Sequence, residues 1–191
     1  MNSQFAQSGF TLVELMVVIT IGAILMSIGV PSYKYVTTSN RVSGEINALL
    51  GDMQFARYEA VKEGLTVEVC PVATFTPPTT PPTTCAASAT WSTGWIVLSN
   101  AAATNGTQIV LRRQPPFSSS NSHDTLNNGG GTAAISFNRE GFAVALPVGG
   151  VMFSLYDPNN ISSYTRCLIV GASGALATAQ SGVTVLSKTC S

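Results

Sequence analysis

The chain reads as an α+β protein: one long N-terminal helix, then a head of antiparallel strands. Three observations carry this. An apolar run over residues 10–30 passes directly into a stretch whose apolar residues recur at three- and four-residue steps. After Gly64 the period changes to two, with turn residues between the runs. Helix first and strands after is the order of an α+β head, with one helix packed on sheet.

The apolar run is long enough to cross a bilayer as a helix, for which about 20 residues suffice. It carries a single charge, Glu14, near its start. An ionised acid at the bilayer centre costs on the order of 2.5–3.5 kcal/mol, so Glu14 needs a partner or a task. A cleaved secretory signal would have a shorter apolar core, a basic start and a small-residue cleavage site after it, and residues 1–9 contain no Lys or Arg. Gly22, Gly29 and Pro31 interrupt the run, and proline removes a backbone donor.

Beyond Pro31, Val42, Ile46, Leu49, Leu50, Met53, Ala56, Ala60 and Val61 form an apolar stripe. Arg41, Glu45, Asp52, Arg57, Glu59, Lys62 and Glu63 lie between them as the polar face. Both signs occur there, which favours packing on a sheet over lying on a membrane surface. Ser39 or Asn40 offers a cap if the helix restarts, and Gly64 is placed to end it.

Residues 65–69 alternate as a first strand, closed by Cys70-Pro71. Residues 73–90 are rich in Pro, Thr and Ala, cannot sustain a ladder, and read as an exposed loop. Residues 95–98 form a strand whose Trp95 belongs to the core. Asn105-Gly106 is a hairpin turn returning into a strand over 108–113, with Ile109 and Leu111 on one face and Val110 and Arg112 on the other. Residues 115–131 read as a loop. Strands follow over 134–137, 142–146, 151–156 and 164–170, with turns at Asn138–Gly141, Asp157–Asn160 and Ser173-Gly174. The last edge is 183–186, unless 175–178 completes the sheet.

Composition narrows the function. Formal net charge is zero and charged residues are 9%, against roughly 25% in an average globular protein. Such a chain does not bind nucleic acid by charge alone. About 160 residues follow the apolar run, enough for one core. Four cysteines in an exported chain imply two disulfides. Three pairings are open; Cys70–Cys85 and Cys167–Cys190 are favoured, the first closing the Pro/Thr loop and the second tying the last strand back. A loop of that size is worth roughly 3 kcal/mol in the chain-entropy model. Without a Cys-x-x-Cys pair, zinc is not expected. The one histidine, His123, stands in a polar loop beside Asp124, and Gly129-Gly130-Gly131 precedes a strand rather than a helix. Neither catalysis nor nucleotide binding is expected, and no cofactor or metal.

Gly9-Phe10-Thr11-Leu12-Val13-Glu14-Leu15, opening the apolar run, resembles the class III leader and N-terminal helix of type IV pilins and type II secretion pseudopilins. The resemblance implies a leader over 1–9, prepilin peptidase cleavage between Gly9 and Phe10, and N-methylation of Phe10. It further implies a transmembrane and filament-core segment over 10–31, running through its glycines and proline, an amphipathic half over 32–64, and a β-rich head over 65–191. Glu14 would pair with the N-terminal amine of a neighbouring pilin. It lies four residues from the new terminus, about 6 Å along a helix at ~1.5 Å per residue. Lys34 and Arg41 follow the span, so the positive-inside rule alone would place the head in the cytoplasm. The cysteines and the leader motif agree on the opposite orientation: inner membrane, head in the periplasm, then the fibre.

Cys70-Pro71, Trp91-x-x-Gly94-Trp95, Asn138-x-x-Gly141 and Arg166-x-x-x-Val170 before a Gly turn and a final Cys resemble the GspH/FimT family of pseudopilins and minor pilins. This implies a structural subunit of pilus assembly, in contact with other minor pilins, rather than an enzyme; a type II secretion pseudopilin is the alternative. Some relatives bind DNA through a Gly-Arg-x-Arg turn. Here the turn reads Gly174-Ala175-Leu176-Ala177, and the basic doublet is Arg112-Arg113. DNA contact at Arg112 and Arg113 is therefore the lesser expectation.

Overall fold

The computed structural model describes residues 9–75, 81–88, 90–99, 108–117, 124–128 and 131–191, with Pro31 known in backbone only. Helix α1, Leu12–Glu63, is unbroken through Gly22, Gly29, Pro31 and the Ser39-Asn40 pair, so no restart cap is used. The chain forms two compact units, Met1–Ser39 and Asn40–Ser191.

In the first unit, residues 9–30 are exposed except Gly22, which is half-buried. The helix is long and apolar enough to cross a membrane. Its hydroxyls are satisfied internally: Thr20 Oγ1 donates to Val17 O at 2.8 Å and Ser27 Oγ to Ile24 O at 2.7 Å. Such back-bonding removes the polar groups an apolar medium would penalise.

In the second unit, helix residues 40–63 place Val42, Ile46, Leu49, Met53, Ala56 and Ala60 in the core. Leu50 packs beside them. Val61 is corrected: it is 53% exposed, because it lies about 100° round the helix from Ala60, which holds the buried stripe. Gly64, at φ +69°, ends the helix in the left-handed conformation glycine accepts.

Eleven strands follow among the described residues: β1 Val67–Pro71, β2 Trp95–Ser99, β3 Ile109–Gln114, β4 Thr125–Asn128, β5 Ile135–Phe137, β6 Ala143–Val144, β7 Val151–Tyr156, β8 Arg166–Val170, β9 Leu176–Gln180, β10 Thr184–Val185 and β11 Lys188–Thr189. They build antiparallel sheets ordered β3-β2-β1-β5-β6 and β4-β7-β8-β9, plus a small β10-β11 hairpin. The helix stripe meets both large sheets: Val67, Val69, Val97 and Phe137 of the first, Phe153, Leu155, Leu168 and Val170 of the second. Trp91 bridges inward, edge-on to Phe153 at 4.8 Å, its Nε1 donating to Thr132 O at 3.0 Å.

Several boundaries differ from the sequence reading. The first strand begins two residues later and includes Cys70 and Pro71; proline is tolerated at a strand end. The 115–131 stretch is not all loop, since residues 125–128 pair with β7 as an edge strand. Its Leu126 and Asn128 face inward, a two-residue alternation too short to stand out locally. Residues 162–164 form a 3₁₀ turn, so the central strand starts at Arg166. Leu176–Gln180 completes the second sheet, and the 183–186 edge is part of the separate hairpin.

The faces of β3 are also corrected. Val97 pairs with Arg112 but Leu98 with Val110, leaving Leu111 as a bulge. The extra residue reverses alternation, so Val110 packs on the outer face while Arg112 turns to the helix. There its guanidinium lies 3.7 Å from the Phe55 ring centre. Its Nη1 donates to Asp52 Oδ1 at 3.1 Å, and Trp95 Nε1 to Asp52 Oδ2 at 2.9 Å. Asp52 and Glu59, assigned to a polar face, are both buried, and Glu59 accepts from Lys62 Nζ. The turn Asn105-Gly106, His123 and Gly129-Gly130 lie outside the described residues.

Further polar ties fix the helix to each sheet. Arg41 grips Asp124 through Nε at 2.9 Å and Nη2 at 3.0 Å, a bidentate pair with a buried carboxylate. Glu45 lies beside it, Oε1 at 4.0 Å from Arg41 Nε, and its buried Oε2 has no hydrogen-bond partner among the described residues. At the other end Arg57 Nε donates to Gly141 O, in the β5–β6 turn, at 3.0 Å, and Ala143 N–H to Ala172 O at 3.1 Å joins β6 to the turn after β8.

Gly174, at φ +76°, closes that junction; a Cβ there would collide with Gly141 O and crowd Arg57 Nε. Gly174→Ala is expected to cost about 2–4 kcal/mol through strain and overpacking, read as a lower unfolding midpoint in denaturant. Burial, and then the neighbouring Asp124 carboxylate, raise Glu45 from 4.5 to about 8, with Arg41 opposing. The folded state therefore holds a proton that the unfolded chain releases near 4.5, and stability falls as pH rises from that value to about 8. Thermal melts across this window should show the decline, and Glu45→Gln should flatten it.

Candidate functional site

The N-terminal motif folds into a helix start. Thr11 precedes α1, its Oγ1 accepting the Glu14 N–H at 3.2 Å, while Leu15 N–H donates to Thr11 O at 3.1 Å. Thr11-x-x-Glu14 has the spacing of a capping box, a signal present in the sequence and not used in reading it. Glu14 in the first turn is favoured by the helix dipole. Gly9 and Phe10 lie just ahead of the helix, Phe10 84% exposed. The Gly9–Phe10 bond thus lies ahead of the helix, and the acid is on the helix's first turn. Glu14 is the one charged residue between Phe10 and Val30, on an element whose surrounding side chains are apolar and exposed.

In the head, disulfides join Cys70 to Cys85 and Cys167 to Cys190. Each secures a segment over the outer face of one sheet. Cys70, Val72, Ile96 and Leu98, with Phe75 and Cys85, form a small core behind the first sheet. Cys167, Ile169, Ala179 and Cys190, with Met152 and Val185, form one behind the second. Glu68 sits beside the first bridge, its Oε1 3.6 Å from Cys85 Sγ, and burial raises its carboxyl above the ordinary range. Glu68, Cys70 and Cys85 cluster closely enough to invite a metal, but the bridged sulfurs are not thiolates and cannot ligate as such.

The two arginines of the basic doublet diverge. Arg112 is held by Asp52 and Phe55 on the helix side, whereas Arg113 Nε donates to Pro82 O at 3.0 Å on the opposite side. They make no paired clamp. Gly174 lies in the turn ahead of β9, and Leu176 opens that strand.

Residues 4–30 match the prokaryotic N-terminal methylation motif. Residues 45–174 match the family described as type II transport protein GspH. No curated protein sequence matches significantly. Two crystal structures of the type IV minor pilin FimU from Pseudomonas aeruginosa PAO1 are similar to this chain, each at 17% identity. One covers 82% of this chain and 95% of its own with a TM-score of 0.53; the other covers 72% and 90% with a TM-score of 0.49. The first establishes a pilin-like architecture of helix and antiparallel sheet. With the family match spanning most of the head and the methylation motif spanning the helix start, the chain belongs to the GspH family of pilin-like proteins.

Proposed function

We propose that the chain is a minor type IV pilin, a low-abundance subunit that helps initiate or cap a pilus fibre. In this reading prepilin peptidase cuts between Gly9 and Phe10, Phe10 is N-methylated, and the chain waits in the inner membrane with its head in the periplasm. The observation that carries it is Glu14, the lone charge over the exposed apolar residues 10–30, one turn from the new amine. A buried carboxylate–ammonium pair repays desolvation only with good geometry. It therefore acts as a registration device, since a misaligned subunit leaves a bare charge in hydrocarbon. The head would supply contacts to other minor pilins. Assembly rather than turnover is supported by the head's buried acids Asp52 and Asp124, which are engaged in holding the fold.

The second reading, a pseudopilin of type II secretion, draws on the family description of residues 45–174. Crosslinking of sheared fibres separates them: partners that are pilus subunits favour the first reading, and a secretion defect with intact pili favours the second. DNA uptake is disfavoured by the opposed directions of Arg112 and Arg113. A mobility-shift assay at low salt should show no tight binding that depends on either residue.

Glu14→Ala and Glu14→Leu should insert normally yet fall at least tenfold in fibre incorporation, measured by quantitative immunoblot of sheared material. Normal incorporation of both would remove the pairing role. Mass spectrometry of the exported chain should find Phe10 as its first residue, and a start at Met1 would overturn the processing.

A further inference from the structure

The Pro/Thr segment is the one motif that the assembly role leaves unused. Residues 74–84 read Thr-Phe-Thr-Pro-Pro-Thr-Thr-Pro-Pro-Thr-Thr, and no charged residue occurs anywhere over 71–111. Alternating Thr and Pro is the composition of O-glycosylated segments. Proline fixes φ, and a run of prolines does not fold into a helix or sheet interior.

The described end of this segment presents two threonines in a fixed setting. Thr83 and Thr84 are exposed, and neither hydroxyl bonds to any described residue. Thr93 differs: its hydroxyl donates to Val72 O at 2.5 Å and to Thr90 O at 2.9 Å. The backbone around Thr83 and Thr84 is anchored on both sides. Arg113 Nε binds Pro82 O at 3.0 Å, Cys85 is bridged to Cys70, and Ala86 N–H donates to Pro71 O at 2.8 Å. A shallow cleft of about 270 Å³ runs beside them, lined by Val72, Thr74, Pro82 and Thr84. Two free hydroxyls on a tethered, uncharged surface are accessible to a transferase without unfolding the head.

We propose that Thr83 and Thr84 are sites of O-linked glycosylation. The threonine oxygen attacks the anomeric carbon of a diphosphate-linked sugar. The anomeric C–O bond breaks with its electron pair, the diphosphate departs, and the hydroxyl proton passes to the transferase's base. The sugar would supply the hydration that an uncharged outward surface lacks. The proposal rests on the reading that the head is exported, where a lipid-linked donor and not a nucleoside triphosphate is at hand; this favours sugar over phosphate.

The test is intact-mass and peptide mass spectrometry on the full chain purified from the cells that make it, as wild type, Thr83→Ala/Thr84→Ala and Thr83→Ser/Thr84→Ser. The expected result is a wild-type mass above that of the processed, disulfide-bonded chain by whole monosaccharide residues, borne by Thr83 or Thr84. The Ala pair should lose the increment completely with its disulfides kept, and the Ser pair should retain it. A processed chain with no increment, a phosphate-sized increment, or an increment confined to other residues would overturn the assignment. A chain starting at Met1 would instead mark failure of the processing and export reading, whatever its loop carries.

Discussion

The head depends on one helix face serving two sheets. Val42, Ile46, Leu49, Met53, Ala56 and Ala60 form a single stripe, and the inward residues of both sheets close on it. Neither sheet could bury its inner face on the other alone, since each has only a few short strands. The helix is therefore the common wall of the core, and its apolar side chains supply the contact that both sheets require. Small Ala56 and Ala60 let the sheets approach near the helix end, where Arg57 reaches across to Gly141.

A sheet with a helix on one face still has a second face to cover. Here the covering is done by loops, and loops hold poorly without a covalent tie. The two disulfides meet that need, one behind each sheet. This accounts for four cysteines in a head of this size better than general stabilisation does. It also explains why Cys70 and Cys167 lie within strands, pointing away from the helix: a staple must start on the face that it covers.

Polar groups set the position of the helix more sharply than apolar ones can. Asp52 accepts from Trp95 and Arg112, and Asp124 accepts both arms of Arg41. Hydrophobic contact tolerates sliding by fractions of a turn, but a buried carboxylate left without its donors carries its full desolvation cost. The Leu111 bulge is part of this arrangement, because without it Arg112 would face away from Asp52. The same helix carries an apolar surface at residues 12–30 that is exposed in the single chain. Its lone acid, Glu14, applies the same penalty to misplacement.

Much of this was legible in residue order because it is written locally. The 3.6-residue stripe, the switch to period two after Gly64, the turns at Asn138 and Asp157, and the Gly9–Glu14 motif each lie within a few neighbouring residues. Val61 was misplaced because apolar character alone does not tell which neighbour of the buried Ala60 turns away from the sheets. Strand Thr125–Asn128 was missed because its two inward residues signal only against β7. The burial of Asp52 and Glu59, the turn of Arg112 toward the helix, and the raised proton affinity of Glu45 were decided by tertiary structure alone. Each depends on which distant segment arrives alongside, and one extra residue in one strand reverses every side chain beyond it. The sequence by itself determined the helix, its membrane-length apolar half and its single acid, because periodicity and composition are properties of the chain before it folds.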